Sequence, residues 1–257
     1  MPRIVTLATD FGNADGYVGQ VKGVLLGLCP DLLIVDLSHE IPAQAVAAGA
    51  FLLETVSAAF PLGTIHLAVV DPGVGTERRR LVVRTERHVF VVPDNGLVSR
   101  VLDRDPLRGA WAIEAAHYRR DPVSPTFEGR DVFAPAAAWL ARGVAPERFG
   151  PEVHDLVRLP SRVVPVPGPN VISVVWVDRF GNVVLDLARE ALPEGAVPKV
   201  TTPRGDVHRF ARTYGEAPPG EPFLLFGSAG YLEIAIPGGR ADAALGLRVG
   251  DTVTVVL

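Results

Sequence analysis

The first half of the chain repeats one unit: a short run of apolar residues followed by a segment with helical spacing. Residues 4–8 (IVTLA), 32–37 (LLIVDL) and 65–70 (IHLAVV) are apolar runs, and residues 17–28 and the Ala- and Leu-rich 45–60 lie between them. A strand that is apolar throughout, rather than at alternate positions, is covered on both faces. A helix between consecutive strands gives the crossover that a parallel pair needs. The spacing therefore predicts a mainly parallel sheet with flanking helices. Residues 81–84 and 88–92 read as two further strands joined by a short polar turn. Residues 131–142 (DVFAPAAAWLAR) read as a helix with Pro135 near its first turn, where proline is tolerated.

The pattern then breaks. Residues 161–170 (SRVVPVPGPN) are rich in proline and read as a linker. Beyond it, residues 171–177, 183–187, 222–226, 232–236 and 252–257 are short β-rich runs between Gly and Pro turns. They predict a smaller antiparallel β-barrel-like domain. The expected organisation is an α/β domain over 1–160, a linker over 161–170 and a β domain over 171–257.

Composition removes several classes. The net charge of −4 with no basic run gives no electrostatic footprint for nucleic acid. Cys29 is the only cysteine, so no internal disulfide forms, and its apolar surroundings point to a packed thiol. No apolar stretch is long enough to span a bilayer and no signal peptide is legible, so the expected location is the cytoplasm.

The acidic residues mark where chemistry belongs. Asp10, Asp36, Asp71 and Asp94 sit at or just beyond strand C-terminal ends, the edge at which parallel sheets bind ligands. Asp10, Asp71 and Asp94 also stand beside glycine, which permits close backbone approach. A single Asp at such a place is as well explained as a turn or cap residue, and Asp36 is read that way. His39 lies near the same edge, whereas His66 and His88 lie inside apolar strands and read as core. No Walker loop, dinucleotide fingerprint, HExxH, CxxC or GxSxG is present. Residues 126–131 (TFEGRD) precede a helix; Arg130 and Asp131 fit a structural pair there and Phe127 fits a core position. In the β half, residues 177–182 (VDRFGN) and 227–236 (GSAGYLEIAI) join glycine to polar and aromatic groups. Phe180 is suited to stack on a base and Asn182 to read its edge; two β-turns explain the same residues.

Taken in order, TDFG, DPGVGT, PDNG, TFEGRD, DRFGN and SAGYLEIA resemble the adenosine-forming S-adenosylmethionine hydrolases, also called S-adenosylmethionine hydroxide adenosyltransferases, which are relatives of the fluorinating and chlorinating enzymes. The resemblance spans Thr9 to Ile236. It implies an α/β domain plus a β-barrel and a homotrimer with the substrate between neighbouring subunits. It also implies hydrolysis of S-adenosylmethionine to adenosine and methionine, with no metal or other cofactor. By that likeness Asp10 holds the ribose hydroxyls and Phe127 packs near the ribose. Asp178 and Ser228 contact the methionine portion, and Phe180 and Asn182 hold the adenine. Asp71 with Arg78 handles the water. The chain departs from the family pattern at Glu128, where a histidine is usual, and at Asp186 and Pro237, where asparagine is frequent. The implied base is then two carboxylates and one guanidinium.

Two other readings stand beside this one. Asp10, Asp71, Asp94 and His39 could serve a metal-dependent phosphohydrolase. Alternatively, with Glu128 in the histidine's place, the chain could bind adenosine or S-adenosylmethionine without turning it over.

Overall fold

The structure is a computed structural model that describes residues 3–193 and 195–257. It divides into two compact units, Met1–Leu159 and Pro160–Leu257.

In the first unit, the elements are β1 (Arg3–Thr9), α1 (Tyr17–Leu28), β2 (Leu32–Ser38), α2 (Val46–Ser57), β3 (Ile65–Val69), β4 (Arg80–Thr85), β5 (Val89–Pro93), α3 (Ser99–Leu102), β6 (Leu107–Ala112) and α4 (Ala134–Ala141). The sheet order is β2-β1-β3-β5-β4-β6. The pairs β1/β2, β1/β3 and β3/β5 are parallel, and β4 runs antiparallel between β5 and β6. β3 is buried along its whole length, as its unbroken apolar run requires. Strand β6 and helix α3 carry no clear periodic signal and were not anticipated. Pro135 stands in the first turn of α4, where it cannot donate to the Asp131 carbonyl. That carbonyl instead accepts the Arg120 N–H at 2.9 Å. The helix begins through a π-helical turn over Gly129–Phe133 rather than at Asp131.

His66 and His88 are core residues, as expected. His66 is fully buried, takes a 2.7 Å hydrogen bond with the Thr6 hydroxyl and stacks on Phe90. Burial, with His88 adding to it, pushes the His66 imidazole down to about 3. A group depressed in the fold contributes its full stability above the unfolded value near 6.5, and loses it as pH falls from there towards 3. Stability should therefore drop by about 1.4 kcal/mol per pH unit below ~6.5 from this residue. Denaturant titration at neutral and acid pH measures it. His66→Leu should be weaker at neutral pH, because Thr6 loses its partner, yet lose less on acidification; equal acid losses in both proteins would refute the assignment.

The second unit contains β7 (Pro169–Val177), β8 (Val183–Ala188), β9 (Lys199–Thr202), β10 (Gly205–Val207), β11 (Phe223–Phe226), β12 (Tyr231–Ala235), the short α5 (Ala241–Leu245) and β13 (Thr252–Val256). The seven strands form one antiparallel, barrel-like sheet in the order β10-β9-β13-β7-β8-β12-β11. Alternate residues of β7 and β13, such as Ile172, Val174, Val253 and Val255, fill its core. No helix among the described residues is long and apolar enough to cross a membrane.

Candidate active site

The C-terminal ends of β1 and β3 open onto a pocket of about 430 Å³ whose lining includes Asp10, Phe11, Tyr17, Asp71, Phe127 and Glu128. Its size suits a small organic ligand. One wall is aromatic: Phe11, Tyr17 and Phe127 meet edge to face, with ring centres 5.2 to 6.2 Å apart. The Arg130 guanidinium lies over Phe127. Phe11 and Tyr17 were not singled out from the sequence, although Phe11 stands inside the TDFG motif itself.

Asp10 is held from behind. Its Oδ2 accepts the Gln44 N–H at 2.8 Å, and the Gly12 N–H bonds the His39 carbonyl. His39 is buried, with Nδ1 2.8 Å from the Thr9 hydroxyl and Nε2 3.1 Å from Asp36. It therefore braces the loop that carries Asp10 and is not part of the pocket lining. Asp36 is paired with Lys22 and His39, in keeping with a structural role.

Asp71 follows β3 and caps the DPGVGT turn by accepting the Gly73 N–H at 3.2 Å. Its carboxylate is almost fully buried and takes two donors from Arg78: Nε to Oδ1 at 2.9 Å, and Nη2 to Oδ2. Gly75 has φ +78°, and a Cβ there would lie 2.7 Å from the Pro125 carbonyl oxygen. Glycine thus lets the turn close against the segment that leads into Phe127 and Glu128.

Glu128 departs from the expected arrangement of two carboxylates around one guanidinium. It is buried and bonds Arg78 Nη2 at 2.5 Å, but Arg80 also grips it, with Nε 3.0 Å from both carboxylate oxygens and Nη2 on Oε1. The set is four charged groups, two of each sign. Arg80 was missed, yet its signal is in the sequence. Three arginines run 78–80 into a strand, and alternate side chains of a strand share a face. Arg78 and Arg80 reach the site, while Arg79 turns to Asp94 and Asp155.

Asp94 is buried against Arg79 and accepts the Val157 N–H, so it does not converge with Asp10 and Asp71. Among the described residues no three His, Cys, Asp or Glu side chains are grouped to hold a metal ion. Arg130 and Asp131 form the expected structural pair, at 2.7 and 2.8 Å. Burial works to raise the Asp131 carboxyl, but Arg130, the Ser124 N–H and Arg120 outweigh it and hold it below the usual range.

In the second unit, Asp178 organises the loop between β7 and β8. Its Oδ1 accepts the N–H groups of Phe180 and Asn182, and its Oδ2 accepts Asn182 Nδ2. Phe180 is left 75% exposed, a large aromatic ring open to solvent. Ser228 sits exposed in the turn between β11 and β12. Glu233, not anticipated, lies against Gly227, where any side chain would meet its carboxyl. Burial, with Asp178 adding to it, pushes Glu233 up to about 7, and the same surroundings raise Tyr214.

A mainly parallel sheet with an arginine-held carboxylate under an aromatic-walled pocket, followed by an antiparallel β unit, defines a two-part α/β protein built for chemistry on a small organic molecule. Residues 5–150 match the SAM hydroxide adenosyltransferase N-terminal domain and residues 172–254 the C-terminal domain. The chain belongs to this family. It is 42% identical to an (R)-S-adenosyl-L-methionine hydrolase of Thermus thermophilus, over 99% of this chain and 100% of the relative. It is 26% identical to a fluorinase of Actinopolyspora mzabensis, over 98% and 96%. A crystal structure of an uncharacterized conserved protein from Thermotoga maritima superimposes with a TM-score of 0.89 at 32% identity, covering 99% of this chain and all of that one.

Proposed function

We propose that this chain hydrolyses S-adenosyl-L-methionine to adenosine and L-methionine. The observation that carries the reading is Asp71, which lines the pocket and is paired with Arg78 behind it. The sulfonium is already a neutral-leaving group, so no acid has to protonate it. The site has to hold water in line with the ribose C5′ and take up its proton. The water oxygen forms a bond to C5′, the C5′–S bond breaks with its electron pair going to sulfur, and methionine departs as a thioether. The water proton passes to Asp71 and then to solvent. Arg78 aims Asp71 through two charge-assisted hydrogen bonds. The faces of Phe11, Tyr17 and Phe127 favour a neighbouring cation such as the sulfonium. A carboxylate at Asp71 also repels halide, which disfavours halogenation.

Asp10 is assigned to the ribose hydroxyls, Phe127 to the ribose face and Glu128 to the charged network around Arg78. Asp178 and Ser228 are assigned to the methionine portion, and Phe180 and Asn182 to the adenine. We infer a homotrimer in which these last four residues serve a neighbouring subunit's pocket; light scattering tests the trimer.

The deciding experiment incubates chelator-treated protein with S-adenosylmethionine and follows both products by chromatography. Adenosine and methionine should appear in equal amounts. Binding by calorimetry with no products would favour a binding protein, and activity that returns only with a divalent ion would favour the phosphohydrolase.

A further inference from the structure

Glu128 has no oxygen of its own to spare for water. Oε1 is held by Arg80 through Nε and Nη2, and Oε2 by Arg78 Nη2 and Arg80 Nε. Its side chain is 3% exposed, and these guanidiniums supply all of its described polar partners. Arg78 in turn is the only described bridge from Glu128 to Asp71. Arg80 lies at the outer end of this chain of contacts. It begins β4, which is paired on both sides, and its carbonyl accepts the Ile113 N–H at 2.7 Å, so its backbone is fixed. It lies outside the pocket lining.

We infer that Arg80 is a positioning residue of this site: by gripping Glu128 it fixes Arg78, and through Arg78 the place and charge of Asp71. The inference rests on the reading of Asp71 as the acceptor of the water proton. With Arg80, which is partly exposed, the set of Asp71, Arg78, Glu128 and Arg80 carries no net charge; without it, two buried carboxylates share one guanidinium. Glu77, Asp10, Arg130 and Asp131 are the other charged groups around it. Glu77 adds negative charge near Arg80, Asp10 lines the same pocket, and Asp131 is neutralised by Arg130. The bond from Glu128 holds the Arg80 guanidinium above its ordinary value, consistent with a permanent cation there.

The test measures kcat and KM of Arg80→Ala, Arg80→Lys and the double variant Arg80→Ala/Glu128→Gln from pH about 5 to 9. Arg80→Ala should lower kcat at neutral pH roughly tenfold or more with KM within about twofold. Its acid limb should move to higher pH, because two carboxylates on one guanidinium take up a proton more readily. Arg80→Lys should return the acid limb towards wild type but not the full kcat, since an ammonium replaces the charge and not the planar fork. The double variant should also return the acid limb. If Arg80→Ala does not fold, Arg80→Lys alone decides. Unchanged kcat and acid limb in folded protein, even with a lower melting temperature, overturns the inference and leaves Arg80 a purely structural residue. Asp71→Asn separates the two failures. An active Asp71→Asn sinks the reading on which this rests; an inactive one beside a normal Arg80→Ala sinks this inference alone.

Discussion

Asp71→Asn should lower kcat for S-adenosylmethionine hydrolysis by about 100- to 10,000-fold, the range that a positioned proton acceptor contributes. The substitution is close to isosteric. An amide oxygen can still accept the Gly73 N–H that shapes the turn, so the DPGVGT loop should survive. What is lost is the negative charge between Arg78 and the pocket. KM should change much less than kcat, because the proton is taken only as the new bond forms. Matched thermal melts, with kcat from initial rates of adenosine release, check this. A variant within about tenfold of wild type would show that water reaches C5′ without this carboxylate.

Asp131→Ala should destabilise the first unit by roughly 3 kcal/mol, the low end for removing one partner of a buried ion pair. The low end applies because Arg120 and Arg130 are partly exposed and can turn to solvent. Asp131 itself is fully buried and accepts Arg120 Nη1 at 2.9 Å, Arg130 Nε at 2.7 Å and the Ser124 N–H at 2.9 Å. Those bonds tie down the segment that presents Ser124, Thr126, Phe127 and Glu128 to the pocket. Hydrolysis should therefore fall together with stability, unlike Asp71→Asn, where kcat falls alone. The Asp131 carboxyl is depressed in the fold, so its contribution is present above the ordinary carboxylate range and lost as pH falls through it. Urea unfolding at neutral pH measures the loss; a change below about 1 kcal/mol would mean that the segment is held by packing instead.

Local pattern determined most of the architecture. Apolar runs of five or six residues marked strands, and so β1, β2 and β3 were legible to within a residue or two. β1 and β3 are inner strands, whereas β2 forms the sheet edge with Leu32 its one buried residue, not covered on both faces as its apolar run predicts. Glycine and proline punctuation made the β runs of the second half legible as well. Strands β9 and β10 escaped notice because they are short and half exposed, with no run of apolar residues to mark them. Asp10, Asp71, Phe127 and Glu128 were legible as members of motifs, each set in a turn whose glycine and carboxylate define it locally.

Their convergence was expected from the strand-end edge and from the family resemblance, but the residue pattern does not say which of the strand-end carboxylates meet, because that depends on which strands lie side by side. β1 and β3 are sequence neighbours only across α1, β2 and α2, yet they pair directly and bring Asp10 and Asp71 to one edge. Arg80 shows the same limit more sharply. The sequence by itself set three arginines in a row and the alternation that parts the middle one from its neighbours. Only the tertiary structure decided that the face shared by Arg78 and Arg80 meets Glu128, 48 residues further along the chain, since a buried carboxylate takes whichever cations the packing brings within reach.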